Sequence, residues 1–138
     1  MPNGRGALPQ ASPLISVVED DDFVRQSIGR LMRSFGYAVE TFPSAAAFLA
    51  FPRLAEIACL ITDIAMPGMT GIELYRQLVD SGRPIPTIMI TGHPDDATQA
   101  KMLNEGVVCY LKKPFGDQEM LRCVRLALGA PQDPSDDP

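Results

Sequence analysis

A chain of 138 residues with net charge −5 and a pI near 4.7 is sized for one domain and carries the wrong sign to bind nucleic acid directly. Hydrophobic residues make up 46% and charged residues 21%, an ordinary globular balance, and no window holds the about 18 apolar residues that a membrane span requires. Met1 to Pro13 lacks the apolar stretch of a signal peptide, so a cytoplasmic location is expected.

Both ends are rich in proline and carry no periodicity: six of the 13 prolines fall in residues 1–13 and 131–138, which marks the ends as flexible arms around a folded core. The expected division is an N-terminal arm over 1–13, one domain over 14–128, and an acidic tail over 129–138.

Within the domain, strand and helix patterns alternate five times. Leu14 to Val18 is β-prone and runs into the acids Glu19, Asp20, Asp21 and Asp22. Asp21 and Asp22 suit the N-terminus of a first helix, whose apolar stripe is Val24, Ile28, Leu31 and Phe35. Gly36 is placed to terminate that helix. Tyr37 to Thr41 reads as a second strand, and Ser44 to Phe51 as a short helix stopped by Pro52.

Ile57 to Thr62 is a continuous apolar run, the mark of a strand buried on both faces, and it ends abruptly at Asp63 before a Pro67-Gly68 turn. Thr70 and Glu73 form a capping box for a third helix with Leu74 and Leu78 one turn apart. Pro86 to Thr91 is the fourth strand, followed by a helix from about Asp95 to Glu105. Val107 to Leu111 is the fifth strand, interrupted by Lys113-Pro114. The last helix carries Leu121, Val124 and Leu128 on one face.

Alternation of this kind predicts a parallel sheet with helices on both sides. The fold class is α/β: a flavodoxin-like, doubly wound (βα)5 three-layer sandwich. By analogy with that fold, its five-stranded sheet has the order 2-1-3-4-5. The three cysteines are odd in number and fit no metal-binding spacing. Cys59 and Cys109 lie in apolar strands and Cys123 in a helix, so all three are expected to be reduced thiols.

In that topology Glu19 and Asp20 meet Asp63 at the carboxyl edge of the sheet. Carboxylates crowded together repel unless a cation neutralises them, and oxygen ligands in this number suit Mg²⁺. Taken alone, such an acidic run is more often a solvated helix-capping cluster. Lys113 and Thr91, at the ends of two further strands, change that reading. Each has an ordinary role, as salt-bridge partner and turn cap. Together with the acids they supply a cation site, a point charge, a hydroxyl donor and a carboxylate nucleophile, which is what phosphoryl transfer onto a carboxylate needs.

The residues Val18-Glu19-Asp20, Arg25, Thr62 through Gly71, Thr91-Gly92 and Tyr110-Leu111-Lys112-Lys113-Pro114-Phe115 together resemble a response-regulator receiver domain of bacterial two-component systems. The resemblance covers roughly 14–128. It implies that Asp63 accepts phosphate from a histidine kinase or phosphotransfer protein. It also implies that Asp20 ligates Mg²⁺ directly, Glu19 through water, and Ala65 through its backbone carbonyl. Lys113 and Thr91 would hold phosphoryl oxygens, and Tyr110 would follow Thr91 and remodel the face built by the fourth helix, fifth strand and fifth helix. Lys101, Met102, Tyr110, Lys112, Arg122 and Arg125 are candidates for that face, which is available for homodimerisation. His93, two residues past Thr91, and Ala65 are candidates for tuning hydrolysis of the acyl phosphate; the ordinary reading of His93 is an exposed turn residue.

Ile90 to His93 and Phe48 to Phe51 resemble the nitrogen-fixation-type regulators, which carry a helix-turn-helix output. About ten residues follow the last helix here, so a stand-alone receiver is expected, with a fragment of a DNA-binding regulator as the alternative. Glu19 stands where an aspartate is commoner, which alters the reach of that ligand. A degenerate receiver, used only for interaction, is disfavoured by the complete acceptor set. An aspartate-nucleophile phosphohydrolase is disfavoured because Ala65 offers no general acid. A flavin carrier is disfavoured by the lack of a Gly- and hydroxyl-rich loop after the first strand. The expected class is therefore a signalling switch rather than an enzyme acting on external substrates.

Overall fold

The computed structural model describes residues 12–129. The arms expected at the two ends therefore lie, apart from Ser12, Pro13 and Gly129, outside the described residues. The element order is β1 (Leu14–Val18), α1 (Asp22–Ser34), β2 (Ala38–Phe42), α2 (Ala45–Leu49), β3 (Ile57–Asp63), α3 (Gly71–Asp80), β4 (Thr87–Thr91), α4 (Asp96–Glu105), β5 (Cys109–Lys112) and α5 (Asp117–Ala127), with a 3-10 turn at Leu54–Glu56. All strand pairs are parallel, in the order β2-β1-β3-β4-β5.

Strand periodicity divides the core into two layers. Ile15, Val17, Cys59, Ile61, Ile88, Ile90 and Leu111 project to one face, where Ile28 and Met32 of α1 and Met120, Cys123 and Val124 of α5 cover them. Leu14, Val18 and Leu60 project to the other face, against Phe48 of α2 and Leu74 and Leu78 of α3. On that same side Met89 meets Met102 of α4 and Tyr75 of α3. Each fully buried Ile, Leu, Met or Phe contributes about 1.5–3 kcal/mol by leaving water. Inside this core, buried hydroxyls donate to nearby carbonyls: Ser16 to Cys59 at 3.2 Å and Thr87 to Ile85 at 2.7 Å.

The helix ends follow the expected chemistry. Asp21 accepts from the Val24 N–H at 3.0 Å, and Thr70 and Glu73 close a reciprocal capping box at 3.1 and 2.9 Å. Gly36 follows the end of α1 with φ of 92°, a left-handed conformation that favours glycine.

Four expectations need correction. The helix expected over 44–51 is shorter, because Ser44 is its cap, and Pro52 disfavours helical backbone at Phe51. β5 begins two residues late: the Val107 N–H donates to Met102 O at 3.0 Å, finishing α4 instead of joining the sheet. Met102, expected on the outer face of α4, is completely buried and is the helix's anchor to the sheet. Finally, Cys109 and Cys123 are not free thiols but a disulfide with Cα atoms 6.0 Å apart. Their separation of 14 residues carries no motif; they meet because Cys109 lies on the sheet face that α5 covers. Only Cys59 is a free thiol.

Candidate functional site

The parallel register aligns the carboxyl ends of four strands. Val18 pairs with Thr62, Asp63 with Ile90, and Thr91 with Lys112, so the residues that follow converge on one edge. This is the edge at which open α/β sheets bind ligands, at the switch between β1 and β3.

Carboxylate oxygens of Glu19, Asp20 and Asp63 all lie within 4.8 Å of one another. Glu19 and Asp63 are buried and Asp20 is exposed. Lys113 joins them: its Nζ donates to Glu19 Oε1 at 2.9 Å and stands 3.4 Å from Asp63 Oδ1. The other Glu19 oxygen accepts the Asp21 N–H at 3.1 Å. Burial pushes the Glu19 carboxyl above its ordinary range, outweighing the hydrogen bonds from Lys113 and Asp21 that pull it down. Burial also pulls on Lys113, but the hydrogen bond to Glu19 and the charges of Asp63 and Glu19 win, and its ammonium is held above the usual value. A single lysine thus faces more negative charge than it can neutralise.

Thr91 is buried; its hydroxyl oxygen accepts the His93 N–H at 3.0 Å, which leaves its own O–H free to donate. Its carbonyl accepts the Lys113 N–H at 2.8 Å, tying the ends of β4 and β5 together. The Lys113-Pro114 peptide bond is cis. His93 itself is exposed, as is Ala65 on the loop past Asp63. Tyr110 is half-buried on the α4 side of β5, and its hydroxyl accepts from the Asp95 N–H at the cap of α4, at a long 3.4 Å.

Two positioning residues carry roles that sequence reasoning did not assign. Arg25 reaches back from α1 to donate to the Glu19 carbonyl at 2.9 Å, and it pairs with Asp22. Gly71 opens α3 directly behind the end of β3 and donates to Ile64 O at 3.0 Å; a Cβ there would overlap the Asp63 carbonyl oxygen. Arg25 and Gly71 were both visible in the sequence only as residues of the matching motifs, with no role attached.

Comparison with known proteins agrees with this geometry. Residues 15–125 match the response regulator receiver domain family. The chain belongs to that family. Receivers are signalling domains of two-component systems; they bind Mg²⁺ at an acidic pocket and imply a histidine kinase or phosphotransfer partner. The chain is similar to the response regulator protein TodT of Pseudomonas putida, 40% identical over 126 residues that make up 91% of this chain and 56% of TodT. It is also 38% identical to the transcriptional regulatory protein FixJ of Azorhizobium caulinodans over 122 residues, 88% of this chain and 57% of FixJ. It therefore spans a little over half the length of these relatives. The crystal structure of FixJ-N superposes with a TM-score of 0.78 at 34% identity, covering 90% of this chain and 99% of that one. A structure of the response regulator StyR superposes with a TM-score of 0.79 at 40% identity, covering 86% of this chain and 60% of that one. The likeness to nitrogen-fixation-type regulators and the strand order of the fold are both borne out. Among the described residues, no helix is long and apolar enough to cross a membrane.

Proposed function

We propose that this receiver accepts a phosphoryl group on Asp63 from a phosphohistidine of its partner kinase or phosphotransfer protein. The observation that carries the reading is Lys113, which reaches Asp63 and Glu19 together at 3.4 and 2.9 Å inside a cluster of carboxylates. An Asp63 carboxylate oxygen attacks phosphorus, the P–N bond breaks, and the imidazole leaves with the electron pair. Lys113 balances the charge that arrives on the phosphoryl oxygens, and the Thr91 hydroxyl donates to one of them.

The donor set fits Mg²⁺, a hard cation that takes carboxylate and carbonyl oxygens and keeps several waters. Asp20 and Asp63 would hold it directly, with the carbonyl of Ala65. Both Glu19 oxygens already have hydrogen-bond donors, which supports contact through water at that position. The ion supplies neutralisation of the negative charge shared by nucleophile and phosphoryl group.

Donation by Thr91 to the phosphoryl group draws on a hydroxyl already bound to the His93 N–H, so phosphorylation pulls on the β4–α4 loop. Tyr110, whose hydroxyl contacts the cap of α4, follows, and the face of α4, β5 and α5 shifts between two states. Lys101, Lys112, Arg122 and Arg125 are exposed there, and the output is protein–protein, with a second copy of the chain as the occupant. His93 tunes the lifetime of the acyl phosphate; an unchanged hydrolysis rate in His93→Ala would remove that role.

The deciding measurement is intact mass after incubation with acetyl phosphate, with and without Mg²⁺, for wild type and Asp63→Asn. The expected result is a Mg²⁺-dependent gain of one phosphoryl group that the variant lacks. A partner interaction that persists in the variant, with no adduct in wild type, would point to a phosphorylation-independent receiver.

A further inference from the structure

The Cys109–Cys123 pair takes no part in the chemistry above. Cys109 opens β5 with its side chain toward α1 and α5, while the next residue, Tyr110, lies on the opposite face against Met89 and Met102. Cys123 sits in the middle of α5 on its buried side. The Cα separation of 6.0 Å lies within the range native disulfides adopt.

Cys109 and Cys123 are both among the residues that line a surface hollow of about 270 Å³ between α4, β5 and α5. Leu103 of α4 and Leu126 of α5 border it and remain 41% and 38% exposed, so the hollow opens to solvent. The third cysteine provides the contrast. Cys59 is fully buried in the sheet, and burial pushes its thiol up to about 12, which leaves it unreactive.

We propose that Cys109 and Cys123 form a reversible dithiol–disulfide couple that sets the mobility of the α4–β5–α5 face. A small-molecule thiolate attacks one sulfur of the pair, the Cys–Cys bond breaks, and the departing cysteine leaves as a thiolate that takes a proton. A second external thiol then resolves the mixed disulfide. The chain gains two thiols, and two external thiols become one disulfide. Oxidation by a small-molecule disulfide runs the same exchange backwards. A receiver working among reduced thiols would hold such a bond as a redox-sensing element rather than as a permanent staple.

The consequence follows from what the bond encloses. Its loop runs from Cys109 to Cys123 and contains Tyr110 and Lys113, one residue of the output face and one of the acceptor site. Closed, it pins α5 to β5; open, α5 is held by the packing of Met120, Val124 and Ala127. This inference rests on the output face assigned under the proposed function.

The experiment uses the full chain, equilibrated with dithiothreitol or with oxidised glutathione, then denatured and alkylated with iodoacetamide. The reduced protein should take up three labels and the oxidised protein one, on Cys59. Amide hydrogen exchange over residues 109–127 should be about tenfold slower in the oxidised form, and acetyl phosphate should drive dimerisation to different extents in the two forms. Cys109→Ser and Cys123→Ser should each abolish the redox difference. Three labels after oxidation, glutathione adducts without an internal bond, or identical exchange in both forms would overturn the couple. Absence of phosphoryl uptake in both redox forms would sink the acceptor reading instead, and the exchange comparison would still judge the disulfide.

Discussion

Gly71→Ala tests how tightly α3 is seated behind Asp63, the proposed acceptor. A Cβ at this position would overlap the Asp63 carbonyl oxygen and lie 3.0 Å from its carbonyl carbon and 3.1 Å from Ile64 Cα. The overlap with the oxygen is the tightest of these contacts, so the two backbones must part by about an ångström. Neither moves cheaply. α3 is fixed at its start by the Thr70–Glu73 box and by the hydrogen bond from Gly71 to Ile64, and Asp63 ends the central strand. Overpacking of this kind costs about 2–3 kcal/mol, and the gain in helix propensity returns less than about 1 kcal/mol, for a net loss of about 2 kcal/mol. In a domain of this size that lowers Tm by roughly 8 °C. The displaced acceptor should also take phosphate from acetyl phosphate about tenfold to a hundredfold more slowly. Thermal and urea unfolding with intact-mass labelling make both measurements. Gly92→Ala is the control, since a Cβ there meets nothing within 4 Å, and its stability should stay within about 0.5 kcal/mol of wild type. A Gly71→Ala protein as stable and as quickly labelled as wild type would refute the close approach.

Lys113→Ala removes the cation 2.9 Å from a Glu19 that is fully buried. In EDTA it should destabilise the domain by about 3 kcal/mol in urea unfolding, and adding Glu19→Gln should recover most of the loss. Equal stabilities for the single and double variants would count against the pair. Cys59 predicts an alkaline limb. Its thiol rises from 9.0 to about 12 on folding, so the unfolded chain ionises first and stability is complete below pH 9. Between pH 9 and 12 it should fall by as much as about 4 kcal/mol relative to Cys59→Ala, whose profile lacks this limb. Parallel profiles for the two proteins would remove the assignment.

What could be read from the chain was whatever chemistry sits at strand ends. A strand buried on both faces admits a lone acid or lysine only where it leaves the sheet, so Asp63 and Lys113 announced themselves by the apolar runs before them. The caps at Asp21, Thr70 and Gly36 were legible for a similar reason: each satisfies backbone groups within a few residues. Contacts made at a distance were not. Burial of Met102 depends on how α4 lies over Met89, and the Cys109–Cys123 pair depends on which sheet face α5 covers. The approach of Gly71 to Asp63 is backbone against backbone, and no side chain records it. Strand order came from resemblance, because short crossovers alone permit more than one arrangement.

On the proposed function, the charge balance of the site would link acceptance and output through β5. Glu19 and Asp63 share one ammonium, with Asp20 beside them, and an incoming phosphoryl group would add negative charge, so Lys113 would divide its contacts differently once Asp63 is modified. The backbone of Lys113 cannot move alone, because its N–H is bound to the Thr91 carbonyl and Lys112 before it ends the edge strand. A backbone shift at Lys113 would therefore be felt at Tyr110 three residues earlier and, through its hydroxyl, at the cap of α4. An edge strand is suited to relaying such a shift. It is hydrogen-bonded on one side only, to β4, so its outer side and the two flanking helices are free to present a changed surface.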